Sequence, residues 1–86
     1  MKINTLNIKK DFTVESKAVH NGYQLIFTFS NGYGASVVEH DHSKGLEIAV
    51  LDSNKTITYN TPITDDVLGY LTDEEANTIL ERISKL

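Results

Sequence analysis

Asn21-Gly22-Tyr23-Gln24-Leu25-Ile26-Phe27-Thr28-Phe29-Ser30-Asn31-Gly32 is the stretch that decides the fold. An Asn-Gly dipeptide stands at each end, and this pair tolerates the positive φ that a tight hairpin turn demands. Between them Tyr23, Leu25, Phe27 and Phe29 recur at every second position, the period of a strand with one buried face. The stretch predicts a central strand whose neighbours run antiparallel to it on both sides.

Working outward, Phe12, Val14 and Ala18 share a face, with the small polar Ser16 between them, which suits a strand joined through Asn21-Gly22. Downstream, Ala35, Val37 and Glu39 oppose Ser36, Val38 and His40. The polar connection His40-Asp41-His42-Ser43-Lys44-Gly45 leads to Leu46, Ile48 and Val50, which alternate with Glu47 and Ala49. Asp52-Ser53-Asn54-Lys55 reads as a further turn before a fifth strand over residues 56–59, and residues 2–8 are a candidate extra edge strand. Links this short favour a meander, because parallel pairing needs crossovers of about a dozen residues or more.

After residue 72 the period changes. Ala76, Ile79, Leu80, Ile83 and Leu86 form one stripe of an α-helix. Thr72 followed by Glu75 matches a capping box, and Asp73, Glu74 and Glu75 put negative charge at the positive end of the helix dipole. Arg82 and Lys85 complement the other end, and Glu81 and Lys85 form an i,i+4 pair. A lone helix of about 14 residues is marginal in water, so its stripe must lie on the sheet. The expected architecture is α+β: an antiparallel β-meander of four to five strands with one C-terminal amphipathic helix on one sheet face. Ile26, Val38, Ala49 and Leu51 fall out of phase with the main apolar set and predict a second apolar patch, to be covered by the chain's termini, a second copy or another protein.

The chain has 86 residues, of which 40% are hydrophobic and 23% charged, enough for one core and too apolar for a disordered chain. Residues 1–86 are read as a single domain. There is no cysteine, so neither disulfides nor thiolate metal sites contribute. No apolar run approaches the ~20 residues needed to span a bilayer, and the first residues lack the apolar core of a signal peptide. No membrane association and a cytoplasmic location are expected. The net charge of −4 is unevenly distributed. Residues 1–59 balance acids against lysines, whereas residues 60–81 hold Asp65, Asp66, Asp73, Glu74, Glu75 and Glu81 with no Lys or Arg. Such a segment suits a basic partner and disfavours nucleic acid, whose phosphates require cations.

Catalytic signatures are missing from the sequence: there is no cysteine nucleophile, no G-x-S-x-G serine, no G-x-G-x-x-G and no P-loop lysine. Asn31-Gly32-Tyr33-Gly34 joins two strands rather than a strand and a helix, so it reads as a turn and not a phosphate cradle. No cofactor is implied and a non-enzymatic role is expected. His40 and His42, one residue apart, would project from one face of an extended segment and are candidate metal ligands, with His20, Glu39 or Asp41 as possible completing groups. Asp65 and Asp66 are a candidate acid/base pair, although adjacent loop acids are more often solvated.

Asn31-Gly32-Tyr33-Gly34-Ala35-Ser36-Val37-Val38, the run from Gly45 to Leu51, and Thr61-Pro62-Ile63-Thr64-Asp65-Asp66-Val67-Leu68-Gly69-Tyr70-Leu71-Thr72 carry a resemblance. Over roughly residues 23–86 the chain resembles a group of small uncharacterised bacteriophage and prophage proteins. The resemblance implies a setting, the host cell cytoplasm, and carries over no catalytic or binding residue. Small acidic phage proteins without catalytic motifs often act by binding a host protein, and such binding is the expectation for this chain. The expected contact surface is the loop of residues 62–70 with the adjacent helix start, using Tyr33 and Tyr70 as aromatic anchors and Pro62, Asp65, Asp66 and Glu74 around them. Two other readings are a homo-oligomer formed through a sheet edge or the second sheet face, and a metal-binding protein at His40 and His42.

Overall fold

A computed structural model describes residues 3, 8–19, 21–40, 43, 45–64 and 66–86. The elements are β1 (Phe12–Val19), β2 (Gly22–Phe29), β3 (Gly34–Glu39), β4 (Glu47–Leu51) and α1 (Asp73–Ser84). The strands make one antiparallel sheet in the order β1-β2-β3-β4, the expected meander. The first turn falls one residue earlier than the expected Asn21-Gly22: Val19 pairs with Gly22, so Gly22 opens β2 and Asn21 (φ 54°) takes the left-handed position, while Gly32 (φ 90°) does so in the turn before β3. The edge strand suggested for residues 2–8 lies outside the described residues apart from Ile3 and Ile8; Ile8 is buried in the core and Ile3 packs against it.

Register sorts the side chains. Val14, Phe27, Ala35 and Val50 form one row across the sheet, and Ser16, Leu25, Val37 and Ile48 the next. On this face Ala76, Ile79, Leu80 and Ile83 of α1 complete the core with Phe27, Phe29, Val37, Ile48 and Val50. Each fully buried large apolar side chain contributes about 1.5–3 kcal/mol, so this cluster dominates stability. Phe12, Phe27 and Phe29 add ring contacts at centroid distances of 5.9–6.4 Å. The helix lies against β3 and leaves β1 mostly open: Val14, on the helix side of the sheet, is 46% exposed.

Both helix ends are tied. Thr72 Oγ1 accepts from the Glu75 amide at 3.0 Å, while Glu75 Oε1 accepts from the Thr72 amide at 2.8 Å, the reciprocal capping box expected from the sequence. At the other end Asn31 Nδ2 donates to the carbonyls of Ile83 (2.9 Å) and Leu86 (3.2 Å), satisfying helix-terminal acceptors from the β2–β3 turn.

Beyond β4 the fifth strand is reduced to a single bridge, Leu51 to Ile57. Asp52 Oδ1 accepts from the amides of Asn54 (2.9 Å) and Thr56 (3.0 Å), and Lys55 takes φ 61°, closing a tight turn. The returning chain bonds only the near half of the β4 edge, with the Asp52 amide donating to the Thr56 carbonyl (2.8 Å) and the Thr58 amide to the Val50 carbonyl (2.9 Å). Leu68 occupies the far half by exchanging both backbone bonds with Ile48, at 2.8 and 2.9 Å. A longer fifth strand would need the same backbone groups of Ile48.

On the second face Ala49 and Leu51 are buried, while Ile26 and Val38 are half-buried. Of the described residues, those of the return after β4 border this face, where Ile57 bridges Leu51. Lys55 and Ile57, with Ile26, Leu51, Gln24 and Ser36, line a hollow of about 320 Å³.

Candidate functional site

The loop of residues 61–67 is irregular because its short polar side chains bond its own backbone. Thr61 Oγ1 accepts from the Ile63 amide (3.3 Å), Thr64 Oγ1 from the Asp66 amide (3.0 Å), and Asp66 Oδ1 from the Val67 amide (2.7 Å). These bonds compete with a strand ladder, and Ile63 packs against the core to hold the loop down. Pairing resumes at Leu68, and the Leu71 amide donates to the Leu46 carbonyl at 3.0 Å. Leu68 and Leu71 thus clasp the chain to Ile48 of β4 and to Leu46 just before it, on either side of Gly69 and Tyr70.

Tyr70 is displayed by that clasp. Its ring and Cα lie beside Gly45, which itself has φ 59°, and a Cβ on Gly45 would sit 3.5–3.6 Å from Tyr70 atoms. Tyr70 has φ 55° and is 79% exposed, the most exposed of the large apolar residues described. A bulky residue in the left-handed region is uncommon and costs about 1–2 kcal/mol. So exposed a ring recovers little of that cost by burial.

Asp66 and Glu74 are exposed on either side of Tyr70 in sequence, Pro62 is exposed in the same loop, and Asp65 lies outside the described residues. Thr72, Glu74, Glu75, Thr78 and Ile79 line a shallow hollow of about 320 Å³ along the first helical turns. The Glu75 carboxyl is held below its usual range by the hydrogen bonds from Thr72. The segment thus carries an exposed aromatic ring at Tyr70 and exposed carboxylates at Asp66 and Glu74, group types that suit cationic and apolar parts of a protein surface.

Tyr33 is not brought into this patch. It is half-buried against the core at the β2–β3 turn, next to Gly34, which pairs with Leu51. Tyr70 borders Leu46 at the opposite end of β4, about 16 Å away at 3.3 Å per residue. Tyr33 shares a separate hollow with Asn31, Gly32, Asp52 and Ser53.

His42 lies outside the described residues, as do His20 and Asp41. His40 follows the end of β3, where its amide donates to Ser43 Oγ (3.0 Å) and its carbonyl accepts from the Ser43 amide (3.2 Å) and hydroxyl (2.9 Å), so its backbone is spent on a turn. Among the described residues no three His, Cys, Asp or Glu side chains cluster as a metal site would require. No helix among them is long and apolar enough to cross a membrane.

Leu68, Leu71 and Gly45 are the site residues that sequence reasoning did not single out. The signal was present as two leucines three apart, but only their backbone bonds to Ile48 and Leu46 give it meaning. Compared with known proteins, the chain matches no family model, no curated protein and no solved structure.

Proposed function

We propose that this chain is a non-enzymatic binding module, a small phage-type accessory protein that contacts a host or phage protein through Tyr70 with Asp66 and Glu74 at its rim. The observation that carries the reading is Tyr70 itself: strained at φ 55°, 79% exposed, and anchored on both sides to β4. A conformation that costs stability, held at an aromatic side chain that returns little burial, is the pattern of a residue kept for contact. Aromatic anchors with a charged rim are the usual makeup of protein-binding hot spots. The lysine-free segment of residues 60–81 gives the partner surface a basic character.

The test separates strain from contact. Tyr70→Gly accepts the left-handed conformation without a Cβ penalty, so the melting temperature is expected to stay level or rise, by up to ~1 kcal/mol of stability. Partner recovery by the tagged protein from cells expressing it is expected to fall to background for Tyr70→Gly and to drop for Asp66→Lys. Recovery of the same partner at wild-type yield by both variants would remove the assignment.

A further inference from the structure

The two edges of the sheet are treated differently. Along the β4 edge Leu68 bonds Ile48 and Thr58 bonds the Val50 carbonyl, while Leu71 and Thr56 bond Leu46 and Asp52 just beyond its two ends. On β1 the register closes at Val19 and Gly22 with two residues between, which makes that pair and every second pair before it the hydrogen-bonded ones. Thr13, Glu15 and Lys17 therefore face β2 with their backbone, and Val14, Ser16 and Ala18 turn theirs outward. Among the described residues nothing pairs with that outer side. The strand is paired without interruption over eight residues, contains no Pro or Gly, and is exposed from Thr13 to Ala18. Three of the features that blunt an open edge, a bulge, a proline and a very short strand, are missing, and the charges on β1 are one acid, Glu15, and one base, Lys17.

We propose that the outer edge of β1 is a self-recognition surface that pairs antiparallel with β1 of a second copy about a two-fold axis through Ser16. The occupant and the register follow from charge. With Ser16 opposite Ser16 of the second copy, Glu15 stands opposite Lys17 and Lys17 opposite Glu15, two complementary pairs on one face. Val14 stands opposite Ala18 on the other face, covering a side chain that is 46% exposed in the single chain. Slipping by two residues one way places Glu15 against Glu15, and the other way Lys17 against Lys17. Like charges directly opposite disfavour both slips, so the strand selects one register. Glu15 is already drawn to its own Lys55 at 3.9 Å with both side chains well exposed, a weak contact that leaves it accessible. The result is an eight-stranded sheet with both helices on one face and both Tyr70 patches outermost. The inference stands on a different surface from the Tyr70 reading and does not depend on it.

The test is the mass of the intact protein by light scattering or sedimentation as concentration rises. Wild type is expected to move from 9.6 kDa toward twice that mass, with a dissociation constant between ~10 μM and ~1 mM. Glu15→Lys alone and Lys17→Glu alone each put like charges opposite and are expected to weaken association roughly 10- to 30-fold. Mixing the two variants in equal amounts creates two opposite-charge pairs in the mixed dimer and is expected to restore association, which only folded chains can do. Ser16→Pro removes an outward amide that bonds nothing among the described residues and is expected to give a folded monomer. A wild-type mass that stays monomeric to ~1 mM overturns the proposal. So does a dimer insensitive to both the charge variants and Ser16→Pro, since it would use another surface.

Discussion

The β4 and β1 edges belong to one sheet, yet among the described residues the first is bonded along much of its length and the second pairs with nothing on its outer side. Against β4 lie three backbone attachments from the long loop, two from the hairpin return, and a row of side chains buried beneath the helix. Among the described residues β2 is the only strand paired with β1, and six consecutive residues of β1 are exposed. The difference teaches that the long segment between β4 and α1 is not a passive connection. It replaces a fifth strand in two pieces, and in doing so it carries Tyr70 to the surface. A continuous fifth strand would have sealed the edge equally well without displaying any loop.

Core substitutions break the comparison most severely. Ile48→Ala, at a residue paired with Leu68 and fully buried, is expected to cost about 2–5 kcal/mol in denaturant unfolding, whereas Val14→Ala on β1 is expected to cost under ~1 kcal/mol. Equal losses at the two positions would contradict the asymmetry. Next in size, Leu68→Pro removes an amide that donates to the Ile48 carbonyl and is expected to cost about 1–3 kcal/mol. Hydrogen exchange at the Ile48 amide should accelerate, and with both edges open the protein should form larger assemblies than a closed dimer.

Thr72→Ala removes the N-cap acceptor and is expected to cost about 1 kcal/mol, read from the melting temperature. The smallest effect concerns acid. The Glu75 carboxyl is held below its ordinary value of 4.5 in the folded chain, so its contribution is complete above pH 4.5 and disappears as pH falls through the lowered value. Glu75→Gln should therefore show a shallower loss of melting temperature than wild type below pH 4.5, and the two curves should run parallel above it.

Much of the architecture was legible because it rests on local rules. The Asn-Gly turns and the alternation of Tyr23, Leu25, Phe27 and Phe29 specify the central strand, and Thr72 with Glu75 specifies the helix start. The out-of-phase set Ile26, Val38, Ala49 and Leu51 was also legible as a second apolar patch, because period two holds whatever lies above it. Its covering segment was not. Ile57 bridges Leu51 through a turn that any strand-like reading of residues 56–59 would extend too far, because pairing depends on whether the partner backbone is still available.

The candidate surface divides the same way. An acid-rich, lysine-free segment is a property of composition, and the sequence by itself determined it, along with the meander, the helix and its cap. Tertiary structure alone separated Tyr33 from Tyr70, since both lie in polar loops and only β4 shows that those loops sit at opposite ends of the sheet. It also turned Asn31 from a turn residue into a clamp on the end of α1. Non-local hydrogen bonds have no period and no fixed spacing along the chain, and for that reason the clasp that displays Tyr70 and the open edge of β1 emerge only when the sheet is assembled.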